Sequence, residues 1–368
     1  MEKAIEKIID SYDEYWPATE GMIPVCKDDK WGFVEETNGK EIIQLTFDDV
    51  GETQFYNGFC KVKSGKNWGV IDKNGKEIIP FNYPDLCVLS HGLFGLKIGK
   101  TWKVVNQKGV DVSSEIYENL YSPSSEIDEN LKIVAVVKKD KKYGAIDCNG
   151  NVLVPFVYSN IESFSDGKAV VKKSKFGFVN AEGEEFIPCK YEWATSFSEG
   201  LACVMTDKKN GYGYGYINEK NEVVIPFIYK DASSFRNGIA HGRLKDVEHS
   251  LYGYFDKTGE PLTAYCYSSA NDFNSDDLAI VTDINDKVGC IDITGKTVIP
   301  HVYDSIGSFS VGFSTVQKGS KFGCVNMKGK EILACKYDDM YGMCHENGEI
   351  GYRMEGENWT KVNLNDLS

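Results

Sequence analysis

Several things are missing from this sequence. No run approaches the ~18 apolar residues of a helical membrane span. The 41 Lys and Arg are outnumbered by 55 Asp and Glu, for a net charge of −14. A nucleic-acid face needs clustered Lys and Arg, and the one basic run, Lys138-Lys139-Asp140-Lys141-Lys142, reads as a solvated hairpin turn. There is no Walker loop and no GxSxG elbow; Gly211-Tyr212-Gly213-Tyr214-Gly215 is neither GxGxxG nor followed by a helical pattern. The five histidines, His91, His241, His249, His301 and His345, share no metal-ligand spacing. Eleven cysteines contain no CxxC pair. Several replace apolar residues of related positions, so they read as core thiols of a reducing compartment. No cofactor, metal or catalytic residue is expected. Met1 to Lys7 mixes Glu with Lys and has no signal-peptide core, which points to the cytoplasm.

What the sequence does have is a repeat. An aromatic-Gly dipeptide occurs at Trp31, Trp68, Tyr143, Phe176, Tyr214, Tyr252 and Phe322, with degenerate copies at Trp102, Val288 and Trp359. Ten copies follow one another at intervals of 33 to 41 residues. Counting from the aromatic residue, position four is Asp or Asn in every copy but the first, which has Glu35; position seven is usually Gly. Asp-x-x-Gly between apolar runs predicts a β-hairpin: the Asx side chain caps the turn and Gly takes the positive φ. Position twelve is often Pro, which marks a strand end or an edge. Position fifteen is Tyr from Tyr83 to Tyr337, and a second Gly nine residues on opens another short apolar strand. The repeated aromatics are expected to pack in the core, because each copy presents the same face to the next.

These columns resemble the WG-repeat family over roughly residues 12 to 363. The resemblance implies a bacterial, β-rich protein with an interaction role and no assigned activity.

The fold expected is all-β: tandem hairpin repeats of about 37 residues, stacked as an open twisted superhelix, with a closed propeller-like ring as the alternative. The fifth copy would supply strands near 201–205, 214–218 and 223–227, with a weaker one near 231–235. Residues 1–20 would form a cap, either a short helix or a strand completing the last copy; residues 21–368 would form one repeat domain.

Individuality is sought where copies depart from the pattern. The distance from the second Gly to the dipeptide is usually nine to eleven residues. It is fourteen in two adjacent copies, Gly200 to Tyr214 and Gly238 to Tyr252. The extra residues should project side by side. Asp207, Lys208, Asn210, Tyr212, Arg243, Lys245, Asp246 and His249 are therefore the candidate binding residues, with hot-spot chemistry on scaffold-held loops. A second departure spans Glu118 to Asn130. The expected function is a non-catalytic scaffold for a protein partner. A carbohydrate or cell-wall ligand is the alternative, and neither nucleic acid nor membrane insertion is expected.

Overall fold

The computed structural model describes residues 8–9, 11–122, 131–207, 209, 211–341 and 349–367, with no side-chain account at 52 and 53. The chain is all-β. Its contacts group into two compact units, Met1–Lys190 and Tyr191–Ser368.

Each unit is a series of small antiparallel meanders. The five sheets of the first begin at Glu14–Tyr15, Asp49–Tyr56, Leu86–Val88, Asn119–Tyr121 and Asn160–Ile161. The four of the second begin at Trp193–Ala194, Ser269–Ala270, Ser305–Ile306 and Asp339–Tyr341. A full sheet has an opening strand, a strand after the second Gly, the aromatic-Gly strand, and a fourth strand that in most copies carries Pro. The opening strand is the "weaker" strand expected after each Tyr. It begins the following sheet instead of closing its own: Asn160–Ile161, just after Tyr158, pairs with Lys168–Lys172.

Burial follows this order. Ile133 to Val137, on a second strand, are buried on both faces, as suits a strand with neighbours on either side. The fourth strand alternates, as in Val152–Tyr158, because it lies at the sheet's edge. Most hydrophobic clusters join neighbouring sheets or neighbouring copies: Phe33 and Ile43 pack with Val50, Cys60 and Ile71, and Cys290 and Ile299 with Val316 and Val325. No sheet buries its face alone, which is the stability logic of repeat proteins. Ile9 and Tyr12 pack against Ile23, Val25 and Val34 of the first sheet, and Glu14–Tyr15 pairs with its Met22–Lys27 strand.

The columns now have causes. The Asp72 carboxylate accepts the amides of Asn74 and Lys76 at 2.9 and 3.0 Å, and Gly75 has φ +77°. The same cap recurs at Asn106, Asp147, Asn180, Asp256, Asp292 and Asn326. Where Gly is missing, Asn221 takes the left-handed position at φ +61°.

The dipeptide aromatic pairs across the ladder with the later Tyr, as Trp68 with Tyr83, Tyr143 with Tyr158, Tyr214 with Tyr229 and Phe322 with Tyr337; in the first copy Trp31 pairs with Phe47. Two residues along, Val70 pairs with Ile79. Three residues, Pro80 to Asn82, therefore oppose the single Gly69. This bulge turns the fourth strand back over the glycine, and it is where a ladder N–H is dispensable, so Pro fits. A Cβ at Gly323 would lie 2.6 Å from the Leu333 oxygen and 2.8 Å from the Cys335 nitrogen; Gly144, Gly215 and Gly289 meet the same obstacle. The third copy has Lys103 in that place, and its sheet has only three strands, with the fourth reduced to bridges at Tyr117 and Asp111.

The Tyr column is core: Tyr117, Tyr158 and Tyr229 are buried. The dipeptide aromatics are mostly half-buried, and several are covered by a cation from the preceding strand, such as Lys138 over Tyr143 at 5.3 Å. Among the described residues the cysteines are free thiols, and burial pushes Cys203 and Cys290 up to about 12.

Two outcomes follow. Gly323→Ala should cost about 1–3 kcal/mol in urea denaturation, because backbone must move to admit the methyl. Lys103→Ala, which loses only a surface pair with Asp111, should cost less than about 1 kcal/mol. Equal costs would disprove the glycine argument. Secondly, the Thr258 hydroxyl and then backbone amides hold the Asp256 carboxyl below its usual range despite some burial. A depressed folded pKa stabilises above the unfolded pKa of about 3.9, and that contribution is lost as pH falls through the folded value. Asp256→Asn keeps the cap seen at Asn218 and Asn326 but removes the titration. Its stability should fall less steeply than wild type below about pH 4; parallel acid profiles would contradict this.

Candidate functional site

The second unit opens with a sheet unlike the others. Its six strands are Trp193–Ala194, Leu201–Thr206, Gly213–Asn218, Val223–Ala232, Ile239–Leu244 and Tyr252–Asp256. The ten-residue strand Val223–Ala232 pairs on one side with the strand before it and on the other with Ile239–Leu244. Two copies are thus fused through one continuous strand. Both long loops belong to this sheet.

In several other copies the hairpin between second and third strands closes tightly; Ser64 pairs with Asn67 around Gly65 and Lys66. In this sheet the first ladder ends at Thr206 and Gly213, and the second at Arg243 and Tyr252. The intervening residues are the two inserts. The Tyr212 amide donates to the Asp207 carbonyl at 2.9 Å, closing the first loop. The Lys245 ammonium of the second loop donates to the Gly211 and Tyr212 carbonyls of the first. The Lys245 amide is in turn tied to the Ile228 carbonyl at 2.8 Å. The expected juxtaposition of the loops is therefore a physical latch.

The other candidates separate. Arg243 lies over the Tyr252 ring at 4.8 Å and 3.7 Å from the Asp231 carboxylate, which also accepts the Tyr252 hydroxyl at 2.6 Å. Burial, and then that carboxylate, raise the Tyr252 pKa. The Arg243 Nε is buried without a partner. Asp246 and His249 sit in the exposed turn, both at positive φ, with His249 beside Glu248 at 3.9 Å. Lys208 and Asn210 lie outside the described residues, as does 123–130 of the other departure.

Beneath the latched loops is a hollow of about 470 Å³, lined by Glu192, Met205, Asp207, Lys209 and Tyr212. Met205 pairs across the sheet with Trp193 on one side and Tyr214 on the other, so the three share a face. The Trp193 and Tyr214 rings meet edge to face at 5.6 Å. Trp193 is 37% exposed and Tyr212 55%. Trp193 and Met205 were not among the sequence candidates. The signal for them was residue type: the corresponding cross-strand row reads Asp49–Lys63–Trp68, Asn119–Lys138–Tyr143, Asn160–Lys172–Phe176 and Asp231–Arg243–Tyr252 in four other copies, and Glu14–Cys26–Trp31, Ser269–Thr282–Val288 and Ser305–Gln317–Phe322, without a cation, in three more. Only at Trp193–Met205–Tyr214, among these rows, is the polar–cation–aromatic order replaced by three apolar residues.

A larger cleft, about 840 Å³, lies by Asp292, Val298, Phe313 and Asn326. Asp292 and Asn326 are turn caps whose oxygens already hold backbone amides. The smaller hollow has exposed aromatics on a rigid sheet and is the better candidate. Among the described residues no group of His, Cys, Asp and Glu has the arrangement of a metal site, and no helix is long and apolar enough to cross a membrane.

A family model described as "WG containing repeat" matches nine stretches, residues 6–31, 31–68, 68–102, 143–175, 176–209, 214–240, 252–287, 289–322 and 322–348. No curated protein matches the chain in sequence. Among solved structures, one described as the eukaryotic initiation factor is similar at 10% identity over 78% of this chain and 86% of that one, with a TM-score of 0.42. BamB from Moraxella catarrhalis is similar at 11% identity over 73% and 96%, with a TM-score of 0.33.

Removing the latch tests the geometry. Lys245→Met should raise the hydrogen-exchange rate of the Tyr212 amide about tenfold, roughly one charge-assisted hydrogen bond. An unchanged rate would mean that the loop holds itself.

Proposed function

The chain belongs to the family of WG-containing repeats, and from that premise we propose that it is a non-catalytic scaffold that binds another protein. The observation that carries this reading is the Trp193–Met205–Tyr214 row on the fused sheet, with Trp193 exposed, Met205 and Tyr214 half-buried, and the exposed Tyr212 of the latched loops beside it. Exposed Trp and Tyr on a rigid platform are the residue types that dominate protein-binding energy, and they are already ordered before a partner arrives. The loops supply the rim, with Asp207, Lys209 and Tyr212 on one side and Lys245 holding them from the other. We place this binding in the cytoplasm: the free thiols among the described residues, several buried, suit a reducing compartment. A carbohydrate would need open aromatic faces repeated along the chain. The repeated aromatics are instead buried or covered by cations, so a glycan is the weaker reading.

The test is affinity capture from cytosol of the source cell, using wild type and the Trp193→Ala/Tyr212→Ala double variant, with retained proteins identified by mass spectrometry. A defined protein retained in stoichiometric amount by wild type, and at least tenfold less by the variant, is the expected result. Equal retention would remove this site from the binding role. Retention of the chain on immobilised glycans, with no protein recovered, would replace the reading by carbohydrate binding.

A further inference from the structure

The cleft of about 840 Å³ beside Phe313 and Asn326 is independent of the binding role above. Val311, on its wall, breaks a column. In seven copies the residue before the second Gly takes a positive φ, between +46° and +57°: Glu20, Asn57, His91, Asp166, Glu199, Asn237 and Val311. Six of these are polar. A β-branched residue is strained in that conformation, because its branches crowd the backbone. Val311 is also 47% exposed. The turn thus gives up stability without burying the side chain, and strain of this kind gathers at ligand sites.

The same turn offers a donor. In two other copies the amide of the second Gly is tied to the copy before it. Gly58 donates to the Glu20 carboxylate at 3.0 Å, and Gly238 to the Glu199 carboxylate at 2.9 Å. Lys73 and Lys257, five residues after the dipeptide aromatic, close on those carboxylates at 3.0 and 2.9 Å. The tie is not general: among the described residues Gly92, Gly167 and Gly200 lack it. It shows what this amide binds when a carboxylate reaches it.

At Gly312 both tie residues differ. The copy before it has Asp277, one methylene shorter than Glu, which accepts the Asn237 side chain at 3.3 Å instead. Met327 stands in place of the lysine, and a methyl on Gly312 would lie 3.7 Å from its sulfur. Among the described residues the Gly312 amide has no partner, and Lys296 and Lys328 at the cleft form no ion pair. Asp276 and Asp292 match these lysines in number, so net charge does not select a ligand. The Asp292 carboxylate is engaged by its own turn, accepting the Thr294 hydroxyl and the Thr294 and Lys296 amides. Leu278, Val298, Val311, Phe313 and Met327 make the rest of the lining apolar. The volume suits a small molecule.

We propose that this cleft binds a small organic carboxylate with an apolar body. The carboxylate accepts the Gly312 amide beside Lys296 and Lys328, as Glu20 and Glu199 accept the equivalent amides. The body lies against Val311, Phe313 and Met327. A glutamate side chain of a protein would supply the carboxylate without the apolar body.

The probe is phenylbutyrate, titrated calorimetrically into the full chain, with phenylbutanamide, acetate and a capped Gly/Ser pentapeptide carrying a central glutamate in parallel. Phenylbutyrate should bind at least about fivefold more tightly than each of the others, the margin of one charge-assisted hydrogen bond. In protein labelled with nitrogen-15 glycine, the Gly312 amide signal should move as phenylbutyrate saturates. Val311→Asn suits the left-handed turn, so the unfolding midpoint should rise while phenylbutyrate affinity falls about fivefold. The Lys296→Met/Lys328→Met double variant, at exposed positions, should bring phenylbutyrate to within about twofold of the amide. Equal binding of phenylbutanamide, an unmoved Gly312 signal, undiminished binding to Val311→Asn, or no binding of phenylbutyrate would overturn the proposal. The glutamate peptide binding more tightly than phenylbutyrate would overturn the assignment to a small molecule.

Discussion

A backbone carbonyl sits where a side chain would otherwise be, and most of the repeat follows from it. In each full sheet three residues of the fourth strand bulge over one residue of the third. Only glycine leaves room beneath, as the 2.6 Å approach at Gly323 makes plain. The bulge sets the register that places Tyr opposite the dipeptide aromatic. It also frees one N–H from the ladder, so proline is accepted at the next position. Glycine, proline and tyrosine, read separately as three columns, are three consequences of one fold of the edge strand. The turn glycines answer a second contact. A side chain at Gly183 would run into the Leu153 carbonyl, and one at Gly329 into that of Val298. Positive φ and close stacking of copy on copy are thus required at one residue.

Much of this was legible in the sequence, because period and turn chemistry are local. The Asx caps, the edge prolines and the buried Tyr column could be read from spacing alone. Sheet boundaries could not. The short strand after each Tyr has one or two apolar residues, such as Ile161 or Ala194, and nothing local says which neighbour it joins. Pairing decides that, and pairing belongs to the stack. The sheets that lose their fourth strand were equally hidden. Lys103 marks one of them, but the copy at Tyr252 keeps its glycine and still has only bridges at Pro261 and Tyr267. There proline falls at position nine rather than twelve, too early to lie in the bulge.

The site was half legible for a related reason. Two loops lengthened by the same amount in adjacent copies must meet if the copies are adjacent in space, and Lys245 on the Gly211 carbonyl bears that out. Length said where to look, not which side chains matter. Asp246 and His249 belong to the longer loop yet remain in its exposed turn, whereas Trp193 and Met205 lie on strands of ordinary length. They are visible only when residues directly opposed across the sheet are compared from copy to copy, which requires the register.

A repeat protein also supplies its own controls. Each copy solves the same packing problem, so a residue type shared by most rows reports what the fold requires, and a change in one row reports what the fold merely tolerates. A lysine or arginine lies over the ring at Trp68, Trp102, Tyr143, Phe176 and Tyr252, whereas Cys26, Thr282 and Gln317 hold that place in other rows, so the fold tolerates both. Putting Met205 there, with Trp193 as its neighbour, gives up a local attraction and opens apolar surface to water. Rows with and without a cation pack the same strands in the same register. The exchange coincides with the fused sheet, the longest loops and the latch that holds them. The lengthened loops make the latch, and both belong to the fused sheet, so these features are one local rearrangement of two copies around the strand they share.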